Sequence, residues 1–292
     1  MKNFIAGIDL GGTKISSAVA DAKGHILSVD TIPTLAYQGV DKVTDRMVLS
    51  LKNACKNAGI RFSGIKCVGI GAPGPVDPIT GYVKHPPNLK GWKKVNLKRI
   101  MMKKLGKRVI LENDANCAAS AELNFGAGRG FHTFIYVTIS TGIGGGIVIN
   151  NKLYAGASGS AGEIGHMTID MNGPKCPCGK RGHLEGLAAG PAIAKRAKMS
   201  PEQLGVLAKK GSRKALKEIE RAGYIIGLGF SNLVNILDPE AIIVGGGLSN
   251  LGKPLFSSIK ASLRKNALAP VKVVPATLKK DVGVIGAVSL CL

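Results

Sequence analysis

The sequence predicts an α/β protein of two related domains around a cleft, on three observations. Residues 3–20 and 132–150 each read as strand, glycine turn and strand. Strands and helical patterns alternate through both halves, and 292 residues suffice for about two domains of ordinary size. In the first half NFIAGID and ISSAVA are small, apolar and β-compatible and flank LGGTK, and ILSVDTIPT extends the same meander. Val43, Met47, Val48, Leu51 and Ala54 fall at helical spacing over residues 40–58 and lead into a strand at IKCVGIGAPG. Prolines 75, 78, 86 and 87 break residues 75–98 into loops; a helix at 97–105, the strand RVILEN and a helix at ANCAASAELNF follow. The second half begins with the strand HTFIYVTIS, the turn TGIGGG and the strand IVIN. Helices at 190–198, 201–210 and 212–236, the strand AIIVGGGLS, a further helix, the strand VKVVPA and a short C-terminal helix complete the chain. The expected division is 1–112 with about 282–292 as the smaller domain and 113–281 as the larger.

Forty Lys and Arg against 18 Asp and Glu give a formal charge of +22, and residues 84–108 hold ten basic residues and no acidic one. Such a field attracts polyanions, whereas a charge run is also what an ordinary solvated face looks like. Aromatic residues at 4% are too few for a single-strand binder that stacks bases, so no nucleic-acid partner is expected. The N-terminal apolar run is cut by Asp9, too short for a signal peptide, and no stretch approaches the roughly 18 apolar residues of a membrane span. A soluble, cytoplasmic protein is expected, and with it no structural disulfide. Of the six cysteines, 55, 67, 117 and 291 read as small core residues, and only 176 and 178 are close in sequence.

Neither glycine turn fits the Walker pattern. The GxGxxG string at Gly69, Gly71 and Gly74 is followed by Pro75 and Pro78, which deny it the helix that a dinucleotide site needs. In DLGGTK, Gly11 and Gly12 let backbone amides approach a phosphate, Thr13 and Lys14 add a hydroxyl and a positive charge, and Asp9 can hold hydrated Mg²⁺. Thr141, Gly142 and Gly144 in STGIGGG offer a second cradle, and Gly245, Gly246 and Gly247 a flat backbone for an adenosine. Each is also compatible with a plain hairpin turn, but two in matching places, one headed by an acid, point to phosphate binding.

Asp114 follows an apolar strand and precedes a helix, which suits either a helix cap or a catalytic base. Glu163 and His166 are three apart and share a face of a helical turn; Glu163 and Glu185 taken alone read as surface charge. Cys176 and Cys178, with His166 ten positions upstream of Cys176 and His183 five beyond Cys178, form a nitrogen and sulfur set that matches a tetrahedral structural zinc on a Gly- and Pro-rich loop.

The phrases GIDLGGTK, GAPGPV, PPNLKGW, ENDANCAA, STGIGGGIV, AGEIGHM, CPCGKRGHLE and VGGGLS, in this order, resemble the ROK family of sugar kinases, nearest to its glucokinases, from about residue 5 to the C-terminus. The resemblance implies the actin-like ATPase (ribonuclease H-like) fold, ATP with Mg²⁺ as donor, and a hexose 6-hydroxyl as acceptor, glucose foremost. It implies Asp114 as the catalytic base, and Asn113, Glu163, His166 and Glu185, with Asn88, as hexose ligands. Three cysteines and one histidine bind zinc in the family pattern CxCGxxGCxE; here His183 stands in place of the third cysteine. N-acetylmannosamine, N-acetylglucosamine, mannose or fructose are alternative acceptors, polyphosphate an alternative donor, and a homodimer or higher homo-oligomer is expected. Repressors of the family carry a winged helix before the first glycine loop; only eight residues precede Asp9, so the expectation is an enzyme, with a non-catalytic sugar sensor or nucleic-acid binder as the contrary reading.

Overall fold

A computed structural model describes residues 3–86, 88–89, 91–279 and 281–292; Pro87 and Lys90 of the PPNLKGW stretch fall outside it. The chain divides into two compact units, one formed by 1–129, 153–161 and 278–292, the other by 130–152 and 162–277.

The first unit begins with β1 (Phe4–Leu10), β2 (Lys14–Asp21) and β3 (Ile26–Pro33), then α1 (Gly39–Asn57) and β4 (Ile65–Ala72). Three two-residue strands follow, β5 (Val76–Asp77), β6 (Tyr82–Val83) and β7 (Val95–Asn96), with α2 (Leu97–Leu105), β8 (Arg108–Asn113) and α3 (Asp114–Phe125) after them. The main sheet has the order β3-β2-β1-β4-β8. The first three strands form an antiparallel meander, and β4 and β8 run parallel to β1. Val43, Met47, Leu51 and Ala54 are fully buried because they recur on one face of α1, and that face packs on β2 and β3. Burying each of the larger of these side chains contributes about 1.5–3 kcal/mol. Residues 75–98, expected as loop, contain the small antiparallel sheet β5-β6-β7. Strands of two residues leave no periodicity for a sequence to display.

The second unit repeats the plan. It contains β9 (Phe134–Ile139) and β10 (Ile143–Ile149), with β11 (Lys152–Tyr154) running over the boundary at residue 152, then α4 (Leu184–Ala188), α5 (Gly190–Ala197), α6 (Pro201–Lys209) and α7 (Arg213–Leu237). β12 (Ala241–Gly245), α8 (Lys253–Asn266) and β13 (Lys272–Pro275) complete it. Its sheet has the order β11-β10-β9-β12-β13, with β10 antiparallel to β9 and β12 and β13 parallel to it. Ile219, Ala222, Ile226 and Phe230 on α7 are fully buried at helical spacing, and α7 packs along α8. Gly144, Gly145 and Gly146, expected in a turn, lie within β10, so the turn itself is only Ser140–Gly142.

The chain then returns to the first unit as α9 (Val282–Ser289). Against the expected division, α3 belongs to the first unit, because it packs on α9. A Cβ on Gly286 would meet the Cys117 carbonyl, and Ser289 Oγ donates to Ser120 Oγ at 2.7 Å across the same crossing. The absence of a structural disulfide was expected and is overturned: Cys67 on β4 and Cys291 beyond α9 are paired, with Cα atoms 5.9 Å apart. Their separation of 224 residues hid the pairing, since only the return of α9 to β4 brings them together. Cys55 and Cys117 are buried free thiols, as core residues should be. Among the described residues no helix is long and apolar enough to cross a membrane.

Candidate active site and metal-ligand cluster

In the first unit the turn between β1 and β2 is pinned from both ends. Gly11 N–H donates to the Lys14 carbonyl at 3.0 Å, Thr34 Oγ1 to the Gly11 carbonyl at 2.7 Å, and Thr34 N–H to the Thr13 carbonyl at 2.8 Å. Gly12 is not in the left-handed region; it is glycine because a Cβ there would lie 2.6 Å from the Asn88 Cβ. Close approach, not positive φ, explains this glycine, which removes the plain-hairpin account of it. Thr13 and Lys14 are exposed.

Asp9, next to last in β1, is pushed up to about 6 by burial first, then by the negative charges of Asp114 and Asp281, against a lowering from Lys14. An acid held in this way favours a cation beside it, as a hydrated Mg²⁺ ligand must. Asp281 belongs to the same electrostatic group and was missed, since an acid at the start of an apolar helix carries no periodic signal.

The cap at the start of α3 is the residue before Asp114. Asn113 is the N-cap of α3, its side chain accepting from Ala115 N–H at 2.9 Å, and Asp114 is the first helical residue, exposed, with Oδ1 also 2.8 Å from Ala115 N–H. Glu112, buried and with its carboxyl raised by that burial, accepts from Asn113 N–H at 2.8 Å and from Asn116 Nδ2 at 2.9 Å. It fixes the strand end from which Asn113 and Asp114 project.

In the second unit, Ser140 N–H donates to the Gly142 carbonyl and Gly190 N–H to the Ser140 carbonyl, both at 2.8 Å. Thr141 is exposed at the apex of this turn. Gly245 pairs with Thr138 across β12 and β9, and a Cβ on Gly247 would lie 3.7 Å from Ser140 Oγ, so the two expected nucleotide-binding stretches of this unit adjoin.

The loop segment 164–185 gathers the cysteines and histidines. Cys176 N–H donates to the Lys180 carbonyl and Gly179 N–H to the Cys176 carbonyl, which closes CPCGK into a tight turn; Leu184 N–H donates to the Met167 carbonyl and brings His183 beside Thr168. The ligand atoms of His166, Cys176, Cys178 and His183 all lie within 4.8 Å of one another. Cys178 Sγ is 3.3 Å from His183 Nδ1, and Cys176 Sγ is 3.9 Å from His166 Nδ1. A tetrahedral ion with ordinary Zn–N and Zn–S bonds has edges of about 3.3–3.8 Å; the Cys178–His183 pair matches such an edge and the Cys176–His166 pair is close to one, while the set as a whole spans up to 4.8 Å, so one ion would draw the four side chains inward. Burial pushes the Cys176 thiol up to about 11, so without an ion it holds its proton. His166 turns Nδ1 to this cluster and Nε2 to Glu163 Oε2 at 3.8 Å.

Glu185, in the first turn of α4, is engaged on two sides. Oε2 accepts from Ile143 N–H at 2.9 Å and Oε1 is 3.8 Å from Cys176 Sγ.

The ROK family model matches residues 5–292. The chain belongs to the ROK family. A glucokinase from Thermotoga maritima is 33% identical over 310 residues, with 98% of this chain and 96% of that protein covered. A xylose repressor from Bacillus spizizenii is 32% identical over 298 residues, covering 99% of this chain and 77% of the repressor. The crystal structure of a ROK family glucokinase from Streptomyces griseus in complex with glucose and AMPPNP matches with a TM-score of 0.81 at 32% identity over 99% of both chains. With the two repeated sheets this establishes the actin-like ATPase fold.

Proposed function

We propose that this sugar kinase of the ROK family transfers the γ-phosphoryl group of ATP to the 6-hydroxyl of a hexose, glucose foremost, in the cytoplasm, with Asp114 as general base. The observation that carries the reading is the arrangement of acids in the first unit: Asn113 takes the capping role and leaves Asp114 exposed at the strand end, in the same electrostatic group as Asp9 and Lys14. Phosphoryl transfer requires alignment and charge neutralisation more than covalent chemistry from the protein. Asp114 accepts the hydroxyl proton as the oxygen attacks in line, and the carboxylate does not itself bond to phosphorus. Asp9 would hold a hydrated Mg²⁺, which would neutralise charge on the donor phosphates. Gly11, Gly12, Thr13, Lys14, Thr141 and Gly142 present amides, hydroxyls and one ammonium to the phosphates, and Gly245–Gly247 the surface for the adenosine.

Asn88, Asn113, Glu163, His166 and Glu185 hold the hexose, carboxylates accepting paired hydrogen bonds from neighbouring hydroxyls. Zinc is the ion that the two thiolates and two imidazoles favour, and its role is to hold the loop and orient His166. Initial rates with ATP and with polyphosphate across a hexose panel test the reading. The expected result is the highest kcat/KM with ATP and glucose; a higher value with an N-acetylhexosamine, mannose or fructose, or with polyphosphate, reassigns acceptor or donor. No ADP release with any hexose, together with salt-sensitive DNA binding, overturns the kinase in favour of a sensor.

A further inference from the structure

We infer that Glu185 is a positioning residue that tethers the Ser140–Ile143 turn to the Cys176 cluster, so that filling the cluster and binding the hexose both tighten a loop that serves the phosphates. One carboxylate joins two segments that are otherwise distant in sequence. Oε2 accepts the Ile143 N–H at 2.9 Å, where β10 leaves the turn, and Oε1 lies 3.8 Å from Cys176 Sγ. The carboxylate lies close to the turn: a Cβ on Gly142 would stand 2.6 Å from Oε2. At its other end Gly190 N–H donates to the Ser140 carbonyl at 2.8 Å. Glu185 is two residues beyond His183, and His183 is the N-cap of α4. A shift of His183 therefore reaches Glu185 through a single turn of helix. The hexose part of this inference rests on the proposed kinase reading; the tether does not.

Amide hydrogen exchange of the full chain separates the two. Glu185→Ala is expected to speed exchange at 140–146 by about tenfold while leaving α7 and β12 unchanged. Glu185→Gln, which keeps a neutral oxygen able to accept from Ile143 N–H, is expected to restore protection to within about threefold while glucose affinity stays weak. Zn²⁺ added to metal-stripped protein is expected to slow exchange at 168–183 in both the natural chain and Glu185→Ala, but at 140–146 in the natural chain alone. Unchanged exchange at 140–146 in Glu185→Ala, or an equal Zn²⁺ effect there in both proteins, overturns the tether. Glucose that leaves 140–146 unchanged while the Glu185→Ala result holds removes Glu185 from the hexose site and leaves the tether standing.

Discussion

Asp9 occupies a position where ionisation is costly, since burial and the charges of Asp114 and Asp281 together raise it to about 6. For an acid raised on folding, the folded chain binds the proton more tightly than the unfolded one. Stability is therefore lost as pH rises from about 4 to about 6, and the penalty is complete above that, on the order of 3 kcal/mol for two pKa units. Asp9→Asn is expected to raise the unfolding free energy at pH 7 without Mg²⁺ by up to about that amount, and to abolish phosphorylation; denaturant titration reads the first and ADP release the second. An Asp9→Asn chain less stable than the natural one at pH 7 would refute the electrostatic account. Asp114→Asn is expected to lower kcat by about 10²–10⁴-fold while glucose affinity changes little, the pattern of a lost proton acceptor. Near-normal turnover would sink the assignment. Residue type marked Asp9 and Asp114 as candidates in the sequence, and the structure places them in one electrostatic group; Glu112 and Asp281 were not marked, because each acts through a neighbour that only the fold supplies.

At the scale of elements, the strand, glycine turn and strand units were readable because each β partner is adjacent in sequence and each strand is a short run of apolar, β-compatible residues, buried along nearly its whole length. The bounds of the second turn were misread: Gly144–Gly146 continue β10, where Gly145 has no room for a Cβ against Ile164. A glycine placed in a strand for close packing looks in sequence like one placed in a turn. The gathering of His166, Cys176, Cys178 and His183 was legible from residue type, and the structure adds that His183 Nδ1 reaches within 3.3 Å of Cys178 Sγ. His183→Cys is expected to keep about one zinc per chain, whereas His183→Ala should weaken zinc by more than about 100-fold, beyond what an outer-shell change costs. Metal analysis after dialysis checks both. Well under one zinc per chain in the natural protein would refute the ion itself.

For the molecule as a whole, the repeated sheet plan could be anticipated from the sequence, but the way the chain closes its first unit could not. That unit is assembled from three segments, and its last, 278–292, arrives only after the second unit has been built between. Bringing such distant ends together costs loop-closure entropy, and the Cys67–Cys291 bond removes part of that cost from the unfolded chain. For a loop of 224 residues the chain-entropy model gives about 5 kcal/mol. Gly286 crossing Cys117 and the Ser289–Ser120 hydrogen bond hold α9 in place without it, so the reduced chain should keep its fold and lose only the closure advantage. Cys291→Ser is thus expected to lower the thermal midpoint by an amount on the order of 10 °C, with ordinary phosphorylation at moderate temperature. A reductant should produce the same fall in the natural chain and none in the variant. Hydrogen exchange should locate the loss in α9, β1 and β4 while β9, β12 and α7 keep their protection. An equal midpoint with and without reductant would show that the staple contributes nothing and that the packing of α9 alone closes the first unit.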